Sequence, residues 1–152
     1  MTHPEERLAD LGLAVPEVPK PVAVYVPAVR SGNLVFTSGQ LPMRSGELMQ
    51  TGKVGGDVSP DEAVECAQQC ALNAIAAVKA ELGDLGLVKR IVKVVAFVAS
   101  TPDFTGQPQV ANGASELFGS VFADAGVHAR SAVGVPVLPL DAPVEVELVV
   151  EF

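Results

Sequence analysis

Residues 88–100 read VKRIVKVVAFVAS, and the fold turns on what this stretch becomes. Valine and isoleucine dominate it, side chains that are stiff at χ1 and pack well on a pleated surface, and turn residues bound it. The composition predicts one long strand. Both of its alternating faces are largely apolar, so it must be covered from two sides. Lys93 stands in its middle, and no other run approaches membrane-spanning length, so no membrane partner is expected.

On either side of this strand the hydrophobic period is helical. Ser59, Pro60 and Glu62 form a capping box with proline at the first helical position. Val64, Ala67, Ala71, Ile75, Val78 and Leu82 then recur at three- and four-residue steps, predicting one amphipathic helix that stops at Gly83 or Gly86. A second helix starts near Pro108, carries Val110, Ala114, Leu117 and Val121 on one face, and ends at Gly126. Further out, VAVYV (22–26) and LVFTSG (34–39) read as strands joined by a turn at 31–33, and RSGELMQTG (44–52) as a hairpin turning at Ser45 and Gly46. SAVGVPVL (131–138) and VEVELVV (144–150) read as the closing strands. Residues 1–21 form a lead-in, with a short helix in EERLADLG and an extended path imposed by Pro16, Pro19 and Pro21. A single domain is expected over residues 22–152.

This order of elements predicts an α+β fold with two helices packed on one face of a sheet. Two helices cover only one side, so the other apolar face must be buried by further copies of the chain. A homo-oligomer is expected.

The 152-residue chain is 49% hydrophobic and 18% charged, which suits one well-buried domain. Its formal charge of −8, with no tryptophan and one tyrosine, is unsuited to nucleic acid. Cys66 and Cys70 lie four apart on the first long helix, badly oriented for a disulfide, and read as small core residues. With only His3 and His128 besides, no convincing metal set is formed. The N-terminus lacks the basic start and apolar stretch of a secretory signal, so a cytoplasmic protein is expected.

One charged residue needs an explanation. In HARSAVGV (128–135), Arg130 directly precedes an apolar run, and a guanidinium there needs either an internal carboxylate or an anionic ligand. In VEVELVV the alternation puts Val144, Val146 and Leu148 on one face and Glu145 and Glu147 on the other. If the valines pack on the helices, Glu145 faces the subunit interface.

YVPAVRSGNLVFTSGQLP (25–42), the capped helix and HARSAVGVPVLPLDAPVEVEL (128–148) together resemble the YjgF/RidA family of enamine/imine deaminases. The resemblance covers about residues 22–152. It implies a chorismate-mutase-like subunit with a mixed sheet, and a homotrimer with a central β-barrel and a cleft between each pair of subunits. It also implies that Arg130 grips the carboxylate of a 2-imino or 2-enamino acid and that Glu145 activates water. Tyr25, Ser38 and Gly39 would line the pocket, the glycine allowing close approach to its backbone. Ala132 matches a position that is often cysteine, where the backbone rather than the thiol meets the carboxylate. His128, Pro136 and the lengthened TGQPQ (105–109) depart from the family pattern and point to a divergent subgroup.

The resemblance thus implies hydrolytic deamination without metal or cofactor, acting on a small-molecule carboxylate. A non-catalytic carboxylate-binding trimer is the alternative, and ribonuclease activity, an older label for part of the family, a third. For Arg130 the plainer reading is a structural ion pair with Glu145 or Glu147 across subunits. For His128 it is a surface loop residue.

Overall fold

The stretch 88–100 becomes β5 (Arg90–Ala99), a central strand of the fold. The computed structural model describes residues 2–152, and its main sheet has five strands. Their spatial order is β1 (Ala28–Ser31), β2 (Leu34–Thr37), β7 (Val144–Glu151), β5 and β6 (Ala129–Val135). Only β5 and β6 run parallel, so a crossover must join them, and helix α3 (Gln107–Phe122) provides it. A small hairpin, β3 (Met43–Arg44) and β4 (Glu47–Leu48), turns at Ser45 and Gly46, as its sequence predicts. Pro136 ends β6 because it has no N–H to offer a ladder.

Helices α2 (Pro60–Leu82) and α3 pack against the sheet as expected. The α2 capping box forms in full: Glu62 N donates to Ser59 Oγ and Ser59 N to Glu62 Oε1, each at 3.1 Å. Such a cap is worth ~1 kcal/mol. Gly83, at φ +82°, closes the helix, its N–H donating to the Lys79 carbonyl at 2.7 Å. Gly113 lets the two helices touch at backbone distance, since a Cβ there would lie 2.2 Å from the Val64 carbonyl oxygen. Cys66 and Cys70 are free and buried among these helices; burial raises the Cys66 thiol pKa to about 11 and Cys70 well above its usual range. Both thiols are core residues, as the sequence predicts.

A short helix, α1 (Pro4–Asp10), packs on the same layer, with Leu8 fully buried and Arg7 Nη1 donating to the Val121 carbonyl at 3.2 Å. VAVYV, in contrast, is not a strand. Residues 22–25 form bends, Val24 is fully exposed, and the first strand begins only after Pro27. Pro21 and Pro27 bracket the segment without N–H groups, and its valines gain no burial, so β-propensity has nothing to act through. No described helix is long and apolar enough to cross a membrane.

The two faces of the sheet differ. Val144, Val146, Leu148 and Val150 of β7 point into the helices and are buried, while Glu145, Glu147, Val149 and Glu151 point away and are half-buried. On β5 an irregularity between Ile91 and Lys93 keeps Ile91, Val94, Ala96 and Val98 on the helix side. The open face carries Val29, Phe36 and Val133, each about half exposed, with Val95 and Phe97 between them.

Candidate functional site

A cleft of about 440 Å³ opens beside the outward end of Glu145. The proline-rich segment 19–23 forms one wall, and Tyr25, Ser38, Gly39, Gln40 and Leu41 form the others. The sequence brings these together because β2 leads directly through Ser38 and Gly39 to Gln40, which bridges back to Val146. Gln40 N donates to the Val146 carbonyl at 2.8 Å and Val146 N to the Gln40 carbonyl at 3.0 Å.

Gly39 then sits directly against the glutamate. A Cβ at Gly39 would lie 2.7 Å from Glu145 Cδ and 3.0 Å from Oε1. The glycine thus makes room for the protein's own carboxylate, a role that sequence reasoning assigned to ligand approach. Phe97 pairs with Glu145 across the β5–β7 ladder, adding an apolar neighbour. Burial raises the Glu145 pKa above the usual glutamate value, with Glu147 on the same face adding repulsion. A carboxylate so placed is a stronger base than a solvated one.

The two hydroxyls at the cleft have opposite capacities. Ser38 Oγ donates to the Val26 carbonyl at 2.6 Å, so what it offers a ligand is lone pairs. Tyr25 Oη accepts from Val22 N at 3.2 Å, so its own proton remains to be donated. The bend at 22–25 is what folds the ring back over the cleft.

Arg130 lies elsewhere. It shares the helix-facing side of β6 with Ala132, which packs on the core. Its Nη1 donates to Asn112 Oδ1 at 2.8 Å and to Ser115 Oγ at 3.1 Å, and its Nη2 to the Pro108 carbonyl at 3.3 Å. All three acceptors are neutral and come from α3. Among the described residues no carboxylate pairs with Arg130. Nε–H and one Nη2–H have no protein partner among them either, leaving donors enough for one carboxylate.

Within one chain, therefore, Tyr25, Ser38, Gly39 and Glu145 meet, while Arg130 and Ala132 do not join them. Arg130 pairs with Val94 and Val94 with Leu148, so Arg130 is two strands away from β7 and three residues up it from Glu145. That spacing is about 14 Å between backbones, with the side chains on opposite faces. β6 is an edge strand, however, so Arg130 stands at the rim of the sheet, where another molecule can approach.

Asn112, Ser115 and His128 were missed by sequence reasoning. Asn112 and Ser115 stand three residues apart on α3 with Pro108 four residues earlier, a spacing that puts all three on the helix face turned toward Arg130. His128, read from the sequence as a surface residue, is half-buried and bonded to Ser115 Oγ through Nε2 at 2.9 Å. No group of three or more His, Cys, Asp or Glu side chains among the described residues could hold a metal ion.

Comparison with known proteins agrees with this fold. The family model described as "YjgF/chorismate mutase-like, putative endoribonuclease" matches residues 5–152. Protein TCP17 of Trypanosoma cruzi is 46% identical, over 95% of this chain and 91% of its own length. The 2-iminobutanoate/2-iminopropanoate deaminase of Escherichia coli strain K12 is 33% identical, over 90% and 94%. The crystal structure of Atu1372 from Agrobacterium tumefaciens, a protein of unknown function, superposes with a TM-score of 0.92 at 47% identity, covering 98% of this chain and 92% of that one. E. coli TdcF, solved with bound serine, gives 0.68 at 25% identity over 90% and 94%.

Proposed function

The chain belongs to the YjgF/chorismate-mutase-like family, and from that premise we propose that it hydrolyses small 2-imino or 2-enamino acids to 2-oxo acids and ammonia. The reaction takes place in clefts completed between copies of the chain in a homotrimer. The observation that carries this reading is Arg130: a guanidinium held by three neutral acceptors at a sheet edge, with two donors left and no acid partner. Its counterpart is the cleft, which contains a base but no arginine; Lys20 is the one cation among its lining residues. The half-exposed apolar face of Val29, Phe36 and Val133 supplies the surface on which copies assemble.

In the assembled site, Arg130 from one copy takes the substrate carboxylate in a two-point grip, fixing the imine carbon relative to Glu145 of the next copy. Glu145 accepts a proton from water as the oxygen attacks that carbon, giving a tetrahedral carbinolamine. Glu145 hands that proton to nitrogen, and the carbinolamine hydroxyl proton then passes through the same carboxylate to nitrogen as the C=O bond forms and the C–N bond breaks, so ammonia leaves and the 2-oxo acid remains. Ser38 accepts from the imine N–H, and Tyr25 donates to an oxygen of the substrate. Ala132 offers its backbone beside Arg130, and no thiol takes part.

A carboxylate-binding module without turnover is the second reading, favoured by the serine bound in TdcF, an α-amino carboxylate. The ribonuclease wording of the family description finds less support, because the chain carries a formal charge of −8 and neither histidine lines the cleft.

The test is 2-oxobutanoate release from freshly generated 2-iminobutanoate by the wild type, Arg130→Ala and Glu145→Gln, with molecular mass from light scattering. A trimer whose acceleration is lost in both variants is expected. Ligand binding without acceleration in a well-folded wild type would favour the module. A stable monomer would sink the shared site.

A further inference from the structure

We propose that Ser115 and His128 are positioning residues that aim the Arg130 guanidinium, through a hydrogen-bond chain whose direction is fixed at its far end. The proposal rests on the reading of Arg130 as the carboxylate grip. The chain begins at the Gly126 carbonyl, which lies 2.6 Å from His128 Nδ1. A carbonyl only accepts, so Nδ1 carries the proton, and in the neutral ring Nε2 is left as an acceptor. Ser115 Oγ is 2.9 Å from that Nε2 and must be the donor. Its lone pairs are then available to Arg130 Nη1, which donates to it at 3.1 Å.

The histidine is needed for this arrangement. A serine in a helix interior otherwise turns its hydroxyl back toward a carbonyl of the preceding turn. His128 draws the proton outward, so the oxygen presents acceptor capacity to the arginine. The imidazole is itself set by an edge contact with Phe118, ring centroids 6.0 Å apart and planes at 90°, and Phe118 is fully buried. Core packing therefore fixes the ring, the ring fixes the hydroxyl, and the hydroxyl with Asn112 occupies both Nη1 protons. What remains free on the guanidinium is the Nε and Nη2 side.

The experiment measures the affinity of the full-length protein for 2-oxobutanoate by titration calorimetry, and KM and kcat for 2-iminobutanoate, alongside thermal midpoints. Ser115→Ala is expected to raise Kd and KM about tenfold, the loss of one charge-assisted hydrogen bond, with kcat within about twofold of wild type. Ser115→Thr, which keeps the hydroxyl, restores both. His128→Phe, which keeps the ring contact but neither hydrogen bond, shows the same KM-only pattern at about threefold. Should His128→Phe not fold, His128→Leu replaces it, likewise giving up both hydrogen bonds, with KM again expected to rise about threefold.

Wild-type affinity in Ser115→Ala and His128→Phe, with Arg130→Ala unable to bind, would overturn the positioning role and leave the grip intact. Binding that survives Arg130→Ala would overturn the grip and the proposal together. Affinity losses that Ser115→Thr does not rescue, and that track the fall in thermal midpoint, would mark simple packing and also overturn it.

Discussion

Glu145 and Arg130 carry opposite charges, and the chain treats them in opposite ways. The glutamate is pressed against the Gly39 backbone beside Phe97 and Glu147, surroundings that make its charge unwelcome and raise its pKa. The arginine is held by Asn112, Ser115 and the Pro108 carbonyl, which satisfy part of its donor set without neutralising it. In the proposed site one half is a carboxylate whose proton affinity burial raises and the other a cation kept available by hydrogen bonding. The first kind of construction tunes a proton affinity; the second fixes a direction.

This contrast can be broken by substitution. Glu145→Gln removes the base and keeps the shape, so kcat is expected to fall about 10²- to 10⁴-fold while 2-oxobutanoate still binds. A loss of binding equal to the loss of rate would show that the glutamate is not the base. Arg130→Lys keeps the charge but gives up the planar fork, and KM is expected to rise about 10- to 100-fold. A KM close to wild type there would show that charge alone suffices. Gly39→Ala displaces the flexible end of Glu145 rather than any backbone, so kcat should drop about tenfold with the thermal midpoint little changed.

A pH profile sharpens the same comparison. A base with a raised pKa works as carboxylate, so the rate should fall as pH drops through a limb lying above the ordinary glutamate range. Replacing Glu147 with Gln removes the second cause of the shift, and the limb should move to lower pH. An unmoved limb would leave burial as its only origin. Tyr25→Phe is the mildest change, with an expected threefold rise in KM from one lost donor, about the size of a single neutral hydrogen bond.

The parts of the molecule governed by local rules could be read from the sequence. The α2 cap is closed by Ser59 and Glu62 within one turn, and the alternation of β7 is enforced residue by residue by the helix layer. Glu145 could be placed for that reason. VAVYV was misread because strand propensity works through burial and pairing, and Pro21 and Pro27 deny it both. The side of β6 from which Arg130 projects, and its acceptors on α3, depend on how a crossover helix lies on a parallel pair, which no local period encodes. His128 looked unremarkable because its two partners lie in different elements, Gly126 before it and Ser115 on the helix.

Gly113 touches neither half of the proposed site, yet it sets the tolerance to which one half is built. It lies next to Asn112 and two residues before Ser115, on a helix seated at backbone distance from α2. A methyl group there would meet the Val64 carbonyl oxygen at 2.2 Å, and the relief open to α3 is to lift away. Such a lift would carry Pro108, Asn112 and Ser115 with it and slacken their hold on the guanidinium. The helix thus works as a jig clamped from behind, and a change in the middle of the molecule would be felt as a looser grip at its rim.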